Sequence, residues 1–316
     1  MEQNAIVMRN VVKEFKVLNR HEGLKGSIRD LFSRDYKTIT AVDNISVNIK
    51  AGEIVGYLGP NGAGKSTTIK MMSGVLEPTR GEILVNGVVP YKNRTRNAEN
   101  IGVVFGQRSQ LWWSLPLIES FKLLKEIYMI PTADYDRMLE LYRELADIEN
   151  LLHKPVRQMS LGQRTLSDIL AAFLHNPKIV FLDEPTIGLD VSMKAKIREL
   201  IKGLNKEKNT TVILTTHDMG DVDALCQRII IIDHGSMIYD NDIEHLKHYF
   251  GSYRTLRRTM ADCGWKEIRV DESKTDVMSV IAEYQKKGGI KDISVEDIST
   301  EEVIKKIYEQ AASRSA

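Results

Sequence analysis

The 316-residue chain is twice the length usual for one domain, so two domains, or one large domain with an appendage, are expected. Apolar residues at 42% and charged residues at 28% sit near globular averages and exclude disordered, collagenous and disulfide-scaffold classes. With 44 Lys and Arg against 43 Asp and Glu, the net charge of +1 supplies no global field toward nucleic acid or an anionic bilayer; the two cysteines, Cys226 and Cys263, fit a reduced compartment.

Residues 1–10 alternate polar and apolar and read as a first strand rather than a secretory signal. Ile45 to Ile49 alternates and Ile54 to Leu58 is continuously apolar; with Lys50-Ala51-Gly52 between them they predict strand, turn, buried strand. Further buried strands are expected at Ile101 to Phe105, Ile179 to Leu182, Thr211 to Leu214 and Ile229 to Ile232. Helical patterns lie between several of these, which predicts an α/β core with parallel pairing. Residues 115–175 read as mostly helical, broken at Pro131 and Pro155, and form a candidate subdomain outside the sheet. No stretch reaches the roughly 18 apolar residues of a spanning helix; the longest aliphatic block, Ile229 to Ile232, stops at Asp233. Any work at a membrane then needs another chain to span it. Changes of texture near 16–37 and 240 place a first domain at 1–240 and an extension at 241–316.

The buried strand ending at Leu58 runs into Gly59-Pro60-Asn61-Gly62-Ala63-Gly64-Lys65-Ser66-Thr67, the phosphate-binding loop pattern, placed where it belongs between a strand and a helix. Glycines let backbone N–H groups turn onto β- and γ-phosphate oxygens at the helix N-terminus, Lys65 adds positive charge, and the Ser66 hydroxyl suits Mg²⁺. Ile179-Val-Phe-Leu-Asp183-Glu184 is an apolar strand ending in two carboxylates. Asp183 suits a Mg²⁺ site at the strand tip, and Glu184 suits a general base that polarises water for attack on the γ-phosphorus.

These motifs keep specific company: Ser160-Leu161-Gly162-Gln163 lies 23 residues before Asp183, Gln107 follows a buried strand, Gly188-Leu189-Asp190 follows Glu184, and His217 follows the next strand. In this set the chain resembles the nucleotide-binding domain of ATP-binding cassette (ABC) transporters over roughly residues 5–240. The resemblance implies a P-loop cassette with a mixed core sheet, an antiparallel β subdomain and a helical subdomain. Gln107 would sense the γ-phosphate and Mg²⁺ while its loop meets the membrane partner, and His217 would grip the γ-phosphate. Two cassettes would pair head to tail, so that Ser160, Gly162 and Gln163 of one chain cover the ATP held by Lys65 of the other, with Asp190 linking the two sites. The pair would be a homodimer or a heterodimer with a sister cassette. A separate integral membrane permease is the implied partner and no nucleic acid is expected.

The sequence departs from the family pattern at Leu161, where the usual signature has glycine. Two segments resemble the one that carries the adenine-stacking aromatic; Tyr36, five residues before Ala41, is favoured and Phe15 is the runner-up. Residues 16–37 read as an insertion in which Leu24, Ile28, Leu31 and Phe32 fall at helical spacing among basic residues, an amphipathic helix for a membrane surface, a partner or its own domain. Adjacent Trp112 and Trp113 are candidates for the contact with the membrane partner. In the extension, 265–270 and 290–295 read as short strands around a helix from Val277 to Gln285, with a last helix near Glu301 to Tyr308. This texture resembles the small α+β extension of drug, antibiotic and sodium exporters. The expectation is therefore a cytoplasmic ATPase that binds MgATP and sits on the inner face of the cell membrane through its permease. Export is favoured over import, and a cassette acting on translation or DNA repair is the rival class.

Overall fold

The computed structural model describes residues 4–18, 36–106, 109–248, 253–260, 264–271, 277–286, 290–297 and 299–315. They divide into two compact units, Met1–Ile238 and Tyr239–Ala316.

The first unit opens with β1 (Asn4–Leu18) paired antiparallel to β2 (Tyr36–Lys50). After β3 (Ile54–Leu58) come α1 (Lys65–Met72), β4 (Arg80–Val85), the short α2 (Arg94–Ala98) and β5 (Ile101–Phe105). The helical segment holds α3 (Leu117–Ile127), α4 (Thr132–Ala146), α5 (Glu149–Leu152) and α6 (Leu161–Phe173), with Pro116 and Pro131 each preceding the first turn of a helix and Pro155 preceding a 3₁₀ turn. Next are β6 (Ile179–Asp183), α7 (Val191–Lys208), β7 (Thr211–Thr215), α8 (Met219–Leu225), β8 (Arg228–Asp233) and β9 (Ser236–Asp242).

The core sheet has the order β5-β6-β7-β3-β8-β9, and β3 pairs parallel with both β7 and β8. All five residues of β3 and of β7 are buried, as expected for strands covered on both faces. The sheet ends in a tight turn where His234 and Gly235 take φ of 45° and 83°, the geometry that joins twisted strands in a hairpin. A second sheet, β2-β1-β4, is antiparallel, and its β2 buries Ile45, Val47 and Ile49 alternately, so one face meets the core.

The structure differs from the sequence reading at the supposed insertion. Pairing of β1 with β2 continues through Lys16↔Thr38 to Leu18↔Tyr36, so both ends of the 16–37 segment are strand. The expected amphipathic helix lies at residues outside the described ones. A register shift between Lys13↔Val42 and Glu14↔Thr40 leaves Ala41 as an extra residue, a bulge that turns its carbonyl toward the site described below.

The second unit contains α9 (Ile243–His248), β10 (Tyr253–Met260), β11 (Gly264–Asp271), α10 (Val277–Lys286), β12 (Ile290–Asp297) and α11 (Thr300–Ser315). Its antiparallel sheet has the order β11-β10-β12, and α9 packs on α11 with Leu246, Val303 and Ile307 buried. The central strand β10 was not anticipated: its Arg254, Arg257 and Arg258 dilute the apolar alternation that marks a strand.

Candidate functional site

Three neighbouring parallel strands, β6, β7 and β3, end on the same side of the sheet, and the predicted phosphate loop, carboxylates and histidine follow their C-terminal tips. The loop after β3 closes tightly at Gly64, whose φ is 106° and where a β-carbon would lie 2.3 Å from the Ala41 carbonyl oxygen. The bulge in β2 and the glycine therefore require each other. Lys65 Nζ curls back to donate to the carbonyl oxygens of Gly59 (2.5 Å) and Pro60 (3.1 Å). Burial pulls its ammonium below the ordinary lysine range, with Glu184 and Asp183 acting in the opposite direction.

Ser66 Oγ donates to Asp183 Oδ2 at 3.4 Å, and Thr215 Oγ1 donates to Asp183 Oδ1 at 2.5 Å. Glu184 takes φ of 53°, and its N–H is held by the Thr215 carbonyl at 2.9 Å and approaches Thr215 Oγ1 at 3.2 Å. At that left-handed turn the adjacent carboxylates meet different partners, Asp183 with Ser66 and Thr215 and Glu184 with His217, the kind of local constraint found at working sites. Glu184 Oε1 lies 3.1 Å from Nδ1 of the exposed His217. A cleft of about 800 Å³ is lined by Asn61, Gly62, Gly64, Lys65, Ser66 and Thr67 on one side and by Asp183 and Glu184 on the other. Gly59 backs it through Lys65.

The oxygens of Ser66 and Asp183 fit a hard divalent cation. Among the described residues no cluster of three or more His, Cys, Asp or Glu side chains is gathered to hold a metal. Ser66 and Asp183 would hold Mg²⁺, which prefers oxygen ligands of this kind.

Other predicted residues stand outside the cleft. Ser160 caps α6 in a reciprocal box: its Oγ accepts from the Gln163 N–H at 3.2 Å, and Gln163 Oε1 accepts from the Ser160 N–H at 3.2 Å and from Lys154 Nζ at 2.9 Å. Gln163 is thereby occupied within its own chain. A β-carbon at Gly162 would lie 2.5 Å from Met193 Cγ, so glycine there admits a neighbouring side chain. Leu161 is half exposed. Asp190 caps α7, accepting from the Met193 N–H at 2.9 Å. Neither aromatic candidate lines the cleft: Tyr36 is exposed at the end of the β1–β2 pairing, and Phe15 has Lys13 Nζ 5.2 Å from its ring. Gln107 lies outside the described residues, while its neighbour Gly106 lines the cleft. Trp112 and Trp113 are both exposed, at 37% and 53%.

Sequence reasoning missed Thr215, which grips Asp183 with its hydroxyl and Glu184 with its carbonyl. The signal was present, a hydroxyl pair, Thr215-Thr216, where an otherwise apolar strand ends. It also missed Asp221, fully buried, which joins Thr186 just after Glu184 to Thr216 (3.0 Å) and Arg198 (2.7 Å). This carboxylate ties the loop behind the expected base to the loop carrying His217.

A family model described as ABC transporter matches residues 42–187. The ABC transporter ATP-binding protein NatA of Bacillus subtilis is 33% identical over 215 residues, covering 68% of this chain and 87% of that protein. The chain belongs to the ABC transporter ATP-binding family. This ABC ATPase is also 33% identical to the bacitracin transport ATP-binding protein BcrA of Bacillus licheniformis, over 67% of this chain and 68% of that one. It spans only 26% of the length of ABC transporter A family member 1 of Dictyostelium discoideum, to which it is 34% identical over 72% of its own length. Among solved structures, cbiO1 from Clostridium perfringens, part of the ABC transporter complex cbiONQ, matches with a TM-score of 0.62 at 26% identity, over 76% of this chain and 89% of that one. A dimeric post-hydrolysis ATP-binding cassette bound to ADP and Pi matches with a TM-score of 0.59 at 27% identity, over 75% and 98%. The fold is thus that of the ABC ATPase cassette.

Proposed function

We propose that this ABC ATPase binds MgATP in the cleft between its phosphate loop and Asp183-Glu184, pairs with a second cassette, and powers a separate membrane permease in export. The observation that carries the reading is the convergence of Lys65, Ser66, Asp183 and Glu184 on one cleft, with His217 in contact with Glu184. Export is favoured by the relatives named for bacitracin transport and for linearmycin resistance, the latter 37% identical over 203 residues. No helix among the described residues is long and apolar enough to cross a membrane; the permease is taken to be a separate chain, with this subunit against its cytoplasmic side.

Each residue has a physical task. Backbone N–H groups at the start of α1 and the Lys65 ammonium receive the phosphates, and Ser66 with Asp183 hold Mg²⁺. Mg²⁺ held there would supply charge neutralisation for the transferring phosphoryl group. Glu184 accepts a proton from the attacking water, and His217, poised on Glu184, swings toward the γ-phosphate. Gln107 completes the γ-phosphate contact, while Tyr36, which does not line the cleft, is left without a role on adenine. Ser160 Oγ accepts from Gln163, which leaves its hydroxyl proton free to donate to the partner's γ-phosphate beside the N–H groups of Leu161 and Gly162. Asp190 stands at the dimer axis. ATP bridges two chains and ADP does not, so differential binding to closed and open pairs does the work.

The test is to tag the Glu184→Gln protein in its native cell, extract membranes in detergent with MgATP, and identify what copurifies. A multi-helix membrane protein supports the reading; recovery of ribosomal or DNA-repair complexes alone refutes the transport role.

A further inference from the structure

The loop after Gln107 is fastened to the helix after Ser160 by side chains that the nucleotide cleft does not use. Asp168 on α6, only 7% exposed, accepts through one carboxylate oxygen from Ser109 Oγ at 2.9 Å and from the Gln110 N–H at 3.1 Å. Gln110 Nε2 donates to the Asp168 carbonyl at 2.9 Å, and Ser109 Oγ accepts from the Leu111 N–H at 3.1 Å. Four residues earlier on the helix, the Arg164 guanidinium lies 4.5 Å from the centre of the Trp113 ring. Its Nε is buried without a hydrogen-bond acceptor, so the ring face and the Asp168 charge orient it. The backbone adds a second seam: the Arg157 N–H donates to Trp113 O at 2.9 Å, and the Val156 N–H donates to Leu115 O at 3.1 Å.

We infer that Asp168 and Arg164 are positioning residues that make the 109–113 loop and the Ser160 end of α6 move as one piece, so that a displacement of Trp113 is delivered to Ser160. Two seams bracket Ser160, one before it at Val156 and Arg157 and one after it at Arg164 and Asp168; a loop pinned on both sides of the helix start cannot shift without it. The charge at Asp168 is not there for stability, because burial pushes its carboxyl up to about 6, against the opposing pull of Ser109, the Gln110 and Leu111 N–H groups and Arg164. An apolar side chain would fill the space at lower cost but would not hold the loop. The mechanical link stands whatever presses on Trp113; its use in driving a permease rests on the proposed function.

Hydrogen–deuterium exchange on the full chain tests the link directly. Asp168→Ala should speed exchange of the amides at 110–113 by about tenfold, the loss of one good charged acceptor, while α1 and α7 keep their protection. Ser109→Ala removes one bond from the loop side and leaves α6 intact, so it serves if the first variant fails to fold. Turnover should fall at least threefold in both variants at unchanged KM for MgATP, with Asp168→Glu recovering part of it. Unchanged exchange at 110–113 overturns the link, and faster exchange with unchanged turnover overturns its positioning role. A wild-type chain that turned over no MgATP would sink the proposed function while leaving the exchange result readable.

Discussion

Replacing Thr215 by valine removes a single oxygen at nearly constant volume from a fully buried position at the end of β7. That oxygen gives Asp183 its shortest hydrogen bond, 2.5 Å to Oδ1, against 3.4 Å from Ser66 to Oδ2. Glu184 keeps the 2.9 Å bond from its N–H to the Thr215 carbonyl, so the damage falls on the carboxylate assigned to Mg²⁺ and spares the base. A hydrogen bond to a charged acceptor contributes about 1.5–3 kcal/mol, which lowers Tm by roughly 4–8 °C in a domain of this size. Loss of an outer partner of a metal ligand typically costs about 10–100-fold in metal affinity or activity. ATP turnover titrated with Mg²⁺ at fixed ATP should therefore show the half-saturating Mg²⁺ rising by about tenfold or more. The maximal rate should recover to within a few-fold, and Thr215→Ser should behave like the parent. An unchanged half-saturating Mg²⁺ alongside the lowered Tm would show that Thr215 only packs and that Asp183 does not depend on it.

Other outcomes follow from the same geometry. Glu184→Gln keeps the shape and loses the proton acceptor: turnover should fall at least about 100-fold while MgATP still drives a dimer visible by size-exclusion chromatography, and vigorous turnover would remove Glu184 as the base. Lys65→Ala loses a charge-assisted phosphate contact, and nucleotide Kd by calorimetry should rise by about 10–100-fold. Asp221→Asn takes the buried charge from Arg198, which keeps Asp218 at 3.4 Å; the cost should be about 1.5–3 kcal/mol with Tm lower by roughly 4–8 °C, and an unchanged melting curve would refute that account. Acid stability carries two opposed contributions. Burial lowers His175, stacked on Tyr128 at 4.0 Å, to about 4, so the unfolded chain takes the proton first and stability is lost as pH falls through the window from about 6.5 to 4. Asp168, raised to about 6, holds its proton more tightly when folded, so its contribution is present in acid and fades as pH rises toward 6. Asp168→Asn removes the opposing slope, and the gain in unfolding free energy between pH 4.5 and 6.5 should exceed the parent's by about 2 kcal/mol; equal slopes would refute the Asp168 assignment.

The phosphate loop was legible because its chemistry is local. A continuous apolar strand, glycines at fixed spacing and a Lys-Ser pair specify strand, turn and helix start within a dozen residues, and β3 and α1 fall where that pattern puts them. The apolar runs of β5, β6, β7 and β8 were equally readable, since strands buried on both faces cannot hide in the sequence. Charged β10 broke that rule, and no pattern in the sequence marked the continuation of β1 and β2 into the two ends of the supposed insertion.

Which strands lie side by side depends on distant pairings: β6 meets β7 across 32 positions, β5 meets β6 across 78, and β3 meets β7 and β8 across 158 and 173. Only the folded sheet places β6 and β7 beside β3, and so sets Ser66 against Asp183, 117 residues away, and Glu184 against His217. The bulge that delivers the Ala41 carbonyl to Gly64 is likewise a matter of register between strands, which no single-strand pattern encodes. Thr215, Asp221 and Asp168 were invisible for the same reason: each is an ordinary polar residue until burial and a distant partner give its oxygen something to hold. The sequence by itself determined the chemistry available to this ABC ATPase, because that resides in residue types at short spacing. The tertiary structure alone decided which groups meet and which loops are bound together, because burial and long-range pairing assign each polar atom its partner.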